Sequence, residues 1–219
     1  MSKNKDIKDL LIMISGLIGA GKTTFAQDLG KYLEVPIFYE PVTNNPYLVN
    51  FYADQKAYGF PMQIWLLNKR FHQHQQMIWT TTGAVCDRSI YEDVIFADML
   101  HDAGNITDLD YETYIGIFET VTRALKVPDI LIHLDVDPKE AHRRVVQERK
   151  RDCELGLPLE YLINLNEYYE KHIKRISKTI PVLRLKWNEF KDIKDVVHII
   201  DKCYLKSGIY NIRDLKFEV

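Results

Sequence analysis

The chain alternates short, wholly apolar runs with longer segments in which apolar residues recur every three or four positions. A short apolar run is typical of a buried strand, whereas the wider spacing is typical of an amphipathic helix. The predicted strands are Leu10–Ser15, Ile37–Tyr39, Ala84–Cys86, Ile130–Leu134 and Val182–Leu185. The longest predicted helices are Met62–Thr80, Tyr111–Lys126, Pro138–Arg149 and Leu159–Lys178.

This alternation predicts one α/β domain over residues 1–219. Strands that alternate with helices pair in parallel through right-handed crossovers, which places helices on both faces of the sheet. We therefore expect a five-stranded parallel sheet covered on both faces by helices. Ligands of such sheets bind at the carboxyl ends of the strands, so the residues that follow each strand are the candidates for chemistry.

A glycine-rich segment follows the first predicted strand and precedes a helical pattern over Thr24–Leu33. It fits the phosphate-loop motif G-x-x-x-x-G-K-[ST], in which backbone N–H groups surround an anion. In that motif the lysine reaches the outer phosphates and the hydroxyl binds magnesium. The residues concerned are Gly16, Gly19, Gly21, Lys22 and Thr23. The alternative is a glycine-rich turn that matches by chance.

Charged residues follow the second and third predicted strands. Glu40 comes after the second strand, and Asp87 and Arg88 come after the third. A carboxylate that orients a hydroxyl and a cation that neutralises a moving phosphoryl group are what phosphoryl transfer requires. Each of these residues also has an alternative, purely structural interpretation. Glu40 would cap a helix that begins near Asn44, and Asp87 and Arg88 would form a structural ion pair.

An arginine-rich segment follows the fourth predicted strand. Its cations are Arg143, Arg144, Arg149, Lys150 and Arg151. Because a guanidinium group binds phosphate oxygens at two points, this cluster predicts a lid over a nucleotide. A solvent-exposed charged helix is the alternative.

Composition narrows the class of protein further. The net charge is −2 without a long run of one sign, which disfavours binding to nucleic acid or to an anionic membrane. We expect neither a signal peptide nor a membrane anchor, because the first apolar run is too short and leads into the glycine loop. Cys86, Cys153 and Cys203 lack the spacing of a zinc site and predict reduced thiols in a cytoplasmic protein.

Several ordered motifs together resemble the deoxyribonucleoside kinases of the deoxycytidine, deoxyguanosine and bacterial deoxyadenosine type. They are Gly16–Thr23, Glu40–Val42, Asn45–Leu48, Gln63, Asp87–Asp93 and Arg149–Leu162. The segment Asp87–Ala97 is most similar to the bacterial deoxyadenosine kinases. The resemblance implies a P-loop kinase fold, ATP and Mg²⁺ as cofactors, and 5′-phosphorylation of deoxynucleosides for salvage.

On the acceptor side, the resemblance implies that Glu40 is the base that takes the proton of the sugar 5′-hydroxyl and that Arg88 holds it. Tyr52 and Glu154 match residues that bind the sugar 3′-hydroxyl, and packing in an apolar core is the alternative for Tyr52. Gln63 matches the amide that pairs with the nucleobase edge, because an amide donates and accepts in one plane.

On the donor side, the resemblance implies that the phosphate loop and the arginines of a lid over about 144–156 bind ATP. The implied ATP-binding residues are Gly16, Gly19, Ala20, Gly21, Lys22, Thr23, Thr24, Arg144, Arg149 and Arg151, with Glu189 and Phe190 from the loop that holds the adenine. Thr23 and Asp87 are the implied magnesium ligands.

Base preference is inferred from Arg70 and Asp93, which match a buried ion pair in relatives that prefer deoxycytidine or purine deoxynucleosides. A paired charge leaves no apolar space for the thymine methyl group, so thymidine is expected to be a poor substrate. We expect deoxyadenosine to be preferred, with deoxyguanosine or deoxycytidine second.

The sequence departs from the family pattern in four places, one of which is the segment Asn188–Asp192, which resembles the loop that holds the ATP adenine but is one residue short. Cys153 stands where relatives carry the first of two acids, and one extra residue lies between Pro138 and the lid arginines. The last segment, Ser207–Val219, matches nothing in the pattern. The family is usually dimeric, and the apolar stripe Ile115, Phe118, Thr122 and Leu125 fits a subunit interface or packing against the sheet equally well.

Two other functions compete with a deoxynucleoside kinase. A nucleoside-monophosphate kinase such as thymidylate kinase shares the loop and the lid, but it needs further cations for the acceptor phosphate. A non-catalytic nucleotide-binding regulator is the second alternative. The GTPase version of it requires Asp-x-x-Gly after the third strand, where this chain has Asp87-Arg88-Ser89-Ile90.

Overall fold

The computed structural model describes residues 6–40, 45–202 and 215–217. Its strands are β1 (Leu11–Gly16), β2 (Ile37–Phe38), β3 (Ala84–Asp87), β4 (Ile130–Asp135), β5 (Val182–Lys186) and β6 (Leu215–Phe217). Its α-helices are α1 (Lys22–Leu33), α2 (Leu48–Ala53), α3 (Gln55–Thr80), α4 (Asp93–Asp102), α5 (Asp108–Arg123), α6 (Pro138–Arg144), α7 (Leu159–Ile176) and α8 (Ile193–Ile200).

All strands run parallel, in the order β2-β3-β1-β4-β5-β6. The five predicted strands and their parallel pairing are confirmed. A further short strand, β6, continues the sheet beyond β5 and comes from the C-terminal segment that the sequence left without interpretation. The rest of residues 207–219, like Pro41, Val42 and Asn44, lies outside the described residues.

After β1 the chain forms β2 and β3 on one side of β1, and it then forms β4 on the other side of β1. The carboxyl end of β1 is therefore the point where the strand order reverses, which is where open parallel sheets bind ligands. This topology brings the residues after β1, β2 and β3 to one edge.

Successive residues of a strand point to opposite faces of the sheet. Every residue of β1 is buried, so both faces of the sheet are covered there. Ile12 and Ile14 of β1 pack in a cluster that includes Phe25 of α1, whereas Leu11 and Met13 pack in a cluster that includes Met77 of α3. Continuous apolar strands are the expected result of this double burial. They also explain why the strands were visible in the sequence as short apolar runs.

The helices α3, α5 and α6 differ most from their predicted bounds, and α5 covers Asp108–Arg123 rather than Tyr111–Lys126. Helix α3 begins at Gln55 rather than Met62, because Asp54 caps it by accepting from the backbone N–H groups of Lys56 and Ala57. Pro61 lies inside it. The segment predicted as one helix over Pro138–Arg149 is α6 followed by a π-helical turn at Val145–Arg149.

The apolar stripe of α5 packs within the subunit. Ile115 and Phe118 lie against a cluster that contains Leu67 of α3 and Ala97 of α4. A different face of α5 exposes Leu109 and Ile117. Among the helices that the structure describes, none combines the length and apolar character needed to span a bilayer.

Candidate active site

The phosphate loop is a tight turn pressed against α6. Gly19 and Gly21 adopt left-handed backbone conformations, with φ of 84° and 88°. A Cβ atom on Gly19 would lie 2.3 Å from the carbonyl oxygen of Ala141, so only glycine fits there. The loop leads directly into α1, whose first backbone N–H groups can bind an anion.

Lys22 reaches back across this loop. Its Nζ donates to the carbonyl oxygens of Gly16 and Leu17, at 2.9 and 2.7 Å. Burial, together with the neighbouring Arg88, lowers the pKa of the Lys22 ammonium to about 7. An anion bound in the loop would favour the charged ammonium form, since an opposite charge nearby raises the pKa of a lysine.

Thr23 and Asp87 meet at the carboxyl end of β3. The Thr23 hydroxyl donates to Oδ2 of Asp87 at 2.6 Å, while the buried Oδ1 of Asp87 has no hydrogen-bond partner among the described residues. Mg²⁺ prefers oxygen ligands and keeps several waters or substrate phosphates in its shell. The two side chains fit such an ion, and no cluster of three or more metal-binding side chains occurs within the described ranges.

Glu40 is clamped by two guanidinium groups. Its Oε1 accepts from Nη2 of Arg70 at 2.7 Å and lies 2.7 Å from Nε of Arg88. Burial alone would raise the pKa of this carboxyl, but Arg88, Arg70 and Lys22 outweigh it and hold the pKa at about 2. The carboxylate therefore contacts two arginines. This contradicts the alternative in which Glu40 caps a helix.

Arg88 is not simply paired with its neighbour Asp87. Its Nη1 donates to Oε1 of Glu92 at 3.1 Å and to the hydroxyl of Tyr169 at 2.8 Å. Sequence reasoning missed both partners. Glu92 has a local signal, because it lies four residues after Arg88, but Tyr169 comes from distant α7 and has none.

A pocket opens beside Glu40, with an empty volume of about 530 Å³ that includes space open to solvent. Gln63 lies in its wall with a buried Oε1 that has no hydrogen-bond partner among the described residues. Arg70 lies beside it and forms a buried ion pair with Asp93. The other lining residues are Ile18, Leu48, Phe51, Tyr52, Met62, Leu66, Arg88, Phe96, Arg149, Arg151, Glu154 and Tyr161.

The far wall of this pocket belongs to the arginine-rich segment. Glu154 is buried there, with its Oε2 3.2 Å from Nε of Arg149 and its Oε1 3.5 Å from Nη1 of Arg151. Tyr52 lines the same pocket. The residues that the family pattern assigns to the sugar 3′-hydroxyl therefore share one cavity with Glu40 and Gln63.

A second, more open cavity of about 1280 Å³ lies over the phosphate loop. The two cavities have Glu40, Arg149 and Arg151 in common. The remaining lining residues of the second cavity are Gly19, Gly21, Lys22, Thr23, Thr24, Tyr39, Asp87, Arg144, Glu148 and Phe190. Glu40 thus lies between the pocket that contains Gln63 and the cavity over the phosphate loop.

Arg144 lies at the edge of the second cavity, but its nitrogen atoms already bind the protein. It donates to the carbonyl oxygens of Ala20, Trp187 and Asn188, at 3.3, 3.0 and 2.6 Å. The ring of Phe190 lies under its guanidinium, at 4.7 Å. Arg144 therefore joins the phosphate loop to the loop after β5, in which Glu189 is exposed.

Comparisons with known proteins agree with this geometry. A family model described as deoxynucleoside kinase matches residues 12–204. A deoxyadenosine kinase of Dictyostelium discoideum is 47% identical over 209 residues, covering 95% of this chain and 85% of that protein.

Two further matches lie in bacteria. A deoxyadenosine/deoxycytidine kinase of Bacillus subtilis (strain 168) is 34% identical over 201 residues, covering 89% of this chain and 92% of that protein. The solved structure of a deoxyadenosine kinase from M. mycoides with bound dCTP aligns with a TM-score of 0.77 and 34% identity. That alignment covers 88% of this chain and 98% of the other.

Proposed function

The chain belongs to the deoxynucleoside kinase family, and from this premise we propose that it transfers the γ-phosphoryl group of ATP to the 5′-hydroxyl of deoxyribonucleosides, with deoxyadenosine preferred. One observation carries the proposal: Glu40 lines both the pocket that contains Gln63 and the cavity over the phosphate loop. Neither a nucleoside-monophosphate kinase nor a non-catalytic regulator accounts for the family match.

The pocket beside Glu40 holds the deoxynucleoside. Gln63 pairs with the nucleobase edge, since its free amide oxygen accepts from the exocyclic amine of adenine or cytosine. The buried ion pair of Arg70 and Asp93 lies beyond it and disfavours the thymine methyl group. Tyr52 and Glu154 bind the 3′-hydroxyl, and a ribose 2′-hydroxyl finds no equivalent role in this assignment.

The cavity over the loop holds ATP. The loop N–H groups and Lys22 bind the phosphates, Arg149 and Arg151 close over them, and Phe190 and Arg144 border the space for the donor base. Thr23 and Asp87 hold Mg²⁺, which when bound neutralises the phosphate oxygens and orients them.

Glu40 orients the 5′-hydroxyl and accepts its proton at a carboxylate oxygen. A pKa of about 2 makes Glu40 a weak base that stays ionised at any working pH. A weak base suffices, because phosphoryl transfer proceeds through a loose transition state in which the attacking hydroxyl needs alignment more than early deprotonation. Arg88 fixes the carboxylate and lies next to the path of the phosphoryl group.

The enzyme acts in the cytoplasm as a homodimer in this proposal. Reduced cysteines support the compartment, and Cys86 is a free, buried thiol. Leu109 and Ile117 of α5 and Trp79 of α3 are exposed apolar side chains that a second subunit would cover. Sedimentation or light scattering of the purified protein tests the dimer, and a monomer at all concentrations would contradict it.

Initial rates with ATP–Mg²⁺ and each of the four deoxynucleosides test the proposed activity. We expect kcat/KM to be highest for deoxyadenosine and lowest for thymidine. Glu40→Gln removes the proton acceptor and should lower kcat by about 10²–10⁴-fold, while the dissociation constant for deoxyadenosine changes little. Glu119→Gln, on an exposed face of α5, is the matched control and should leave both unchanged.

Three results would contradict the proposal. Phosphorylation of dAMP but not of deoxyadenosine would indicate a nucleoside-monophosphate kinase. ATP binding without any transfer would indicate a regulator. Comparable kcat/KM values for thymidine and deoxyadenosine would remove the predicted base preference.

A further inference from the structure

Glu92 is a fully buried carboxylate that stands behind the candidate site rather than in it. It ends the 3-10 turn Ile90–Glu92, between β3 and α4, and is 0% exposed. Burying a carboxylate costs free energy unless its oxygens are bound. Both are: Oε2 accepts from the Ser15 hydroxyl at 2.6 Å, and Oε1 accepts from Nη1 of Arg88 at 3.1 Å.

The two partners of Glu92 lead to the two halves of the site. Ser15 is the residue before Gly16, where the phosphate loop begins. Arg88 reaches Glu40 from the other side, with its Nε 2.7 Å from the Glu40 carboxylate. One carboxylate therefore joins the loop that holds the donor to the arginine that holds the candidate base.

Neutralising the charge of Arg88 does not by itself explain Glu92. Arg88 already faces the carboxylate of Glu40, and Arg70, which shares that carboxylate, has Asp93 as its own counter-ion. Glu92 and the hydroxyl of Tyr169 instead bind the same Nη1 atom, which fixes the side of the guanidinium that lies away from Glu40. The backbone of Arg88 has a left-handed φ of 80°, which is costly for a residue other than glycine and persists where neighbours enforce it.

We propose that Glu92 is a positioning residue for phosphoryl transfer: it fixes Arg88 relative to the phosphate loop through its two oxygens. The inference rests on the proposed function. Transfer of a phosphoryl group depends on the alignment of donor and acceptor, and a displacement of about 1 Å can cost about 10²-fold in rate.

Glu92→Gln tests the inference, because glutamine has the size of glutamate but lacks the charge and one acceptor. We expect kcat to fall by about 10- to 100-fold, while KM for deoxyadenosine and for ATP stays within about threefold. Both KM values hold because the pocket around Gln63 and the contacts of the loop with phosphates are untouched. Asp98→Asn, a half-buried carboxylate on α4 that accepts from Tyr111, is the matched control and should leave kcat unchanged.

A second variant separates positioning from general stability. Ser15→Ala removes the donor to Oε2 of Glu92, together with the longer 3.4 Å contact between the Ser15 hydroxyl and Nδ1 of His133, and we expect a smaller fall in kcat, of about two- to tenfold. If Ser15 acts through Glu92, the double variant has the kcat of Glu92→Gln within about twofold, since partners in one network are not additive. Ser15→Ala alone keeps the inference testable should Glu92→Gln not fold.

The outcomes distinguish this inference from the proposed function. Phosphorylation of deoxyadenosine by the unmodified enzyme tests the proposed function, whereas the ratio of variant to unmodified kcat tests the role of Glu92. A lower melting temperature of Glu92→Gln with unchanged kcat would show a purely structural role and overturn the inference. Additive losses in the double variant, or an unchanged kcat in Ser15→Ala, would overturn it as well.

Discussion

The amide oxygen of Gln63 is buried in the wall of the candidate nucleoside pocket and has no hydrogen-bond partner among the described residues. Leaving such an oxygen without a partner costs about 1–3 kcal/mol. Gln63→Leu should therefore raise the free energy of unfolding by about 1 kcal/mol or more, while kcat/KM for deoxyadenosine falls by about 10- to 100-fold. Chemical denaturation and initial rates measure the two effects on one preparation.

Gln76→Leu is the control for this prediction, because Gln76 lies exposed on the same helix. Gln76→Leu replaces the same side chain at a position where the amide oxygen is not buried. Neither the free energy of unfolding nor kcat/KM should therefore change much. Loss of stability in Gln63→Leu, or full activity on deoxyadenosine, would contradict a role in base recognition.

The ion pair between Arg70 and Asp93 should decide the rejection of thymidine. Both side chains are buried, so replacing one alone would leave a buried charge without its partner. Arg70→Met combined with Asp93→Ala removes both charges and creates apolar space. We expect kcat/KM for thymidine relative to deoxyadenosine to rise at least about tenfold, as a pocket for one methyl group can supply. Absolute rates should fall, since Arg70 also binds Glu40.

Competition assays with both nucleosides measure this ratio directly. An unchanged ratio in the double variant would show that the pair is structural and that thymidine is excluded elsewhere in the pocket.

At the scale of residues, the sequence predicted the side chains that lie at strand ends or within family motifs. Glu40, Gln63 and Asp87 all lie where a motif or a strand end placed them. Tyr169 could not be found in this way, because its contact with Arg88 depends on how α7 packs against the sheet. Motifs and strand ends point to residues that line a candidate site, whereas a contact such as that between Tyr169 and Arg88 is found only in the folded chain.

At the scale of elements, the phosphate loop allows the cost of a steric clash to be separated from the cost of a left-handed backbone conformation. Gly19 and Gly104 both have left-handed backbones, but a Cβ on Gly19 would clash with Ala141 while one on Gly104 meets nothing within 4 Å. Alanine in a left-handed conformation costs about 1–2 kcal/mol, so Gly104→Ala should lose that much stability and keep its activity. Gly19→Ala should lose more stability and also bind ATP at least about tenfold more weakly, because the loop must shift.

Thermal denaturation and titration with ATP compare the two variants. Equal losses of stability with unchanged ATP affinity would mean that α6 yields to the new methyl group and that the loop keeps its shape.

The arginine-rich segment contains a helical irregularity that its periodic pattern of apolar residues does not reveal. The family resemblance predicts one extra residue between Pro138 and the arginines of the segment 144–156, and the periodic pattern predicts a single helix over Pro138–Arg149. The structure winds Val145–Arg149 as a π-helical turn. Such a turn takes up one inserted residue within a helix, and it is frequent at functional sites. Arg149 and Arg151 consequently line both cavities despite the insertion.

For the whole molecule, the order of strands explains why the architecture was predictable and the extra strand was not. The central strands are buried on both faces and therefore consist of apolar runs that the sequence reveals. Among the described residues, strand β6 pairs with β5 alone, at the edge of the sheet, so the double burial that makes the central strands continuous apolar runs is not required of it. Its segment accordingly carried no signal.

Stability of the whole fold should depend on pH through its buried histidines. Burial, with Arg184 near His133 and Arg175 near His172, lowers the pKa of both imidazoles to about 3. The unfolded chain titrates near 6.5, so between these values it binds more protons than the folded chain. The contribution of each histidine to the free energy of unfolding is therefore fully present above about pH 6.5. It falls as the pH drops toward 3, by up to about 1.4 kcal/mol per pH unit for each histidine.

His172→Gln should flatten this dependence by up to one proton, because the glutamine oxygen can accept from Arg175 as Nδ1 of His172 does but does not titrate. His198→Gln removes an exposed histidine of α8 and should leave the slope nearly unchanged. Denaturation at pH values from 7.5 to 4.5 gives the slopes, a range in which the carboxylate of Glu40 stays ionised in the folded protein. Equal slopes in all three proteins would mean that His172 takes up its proton in the folded state, which a buried ring beside an arginine should resist.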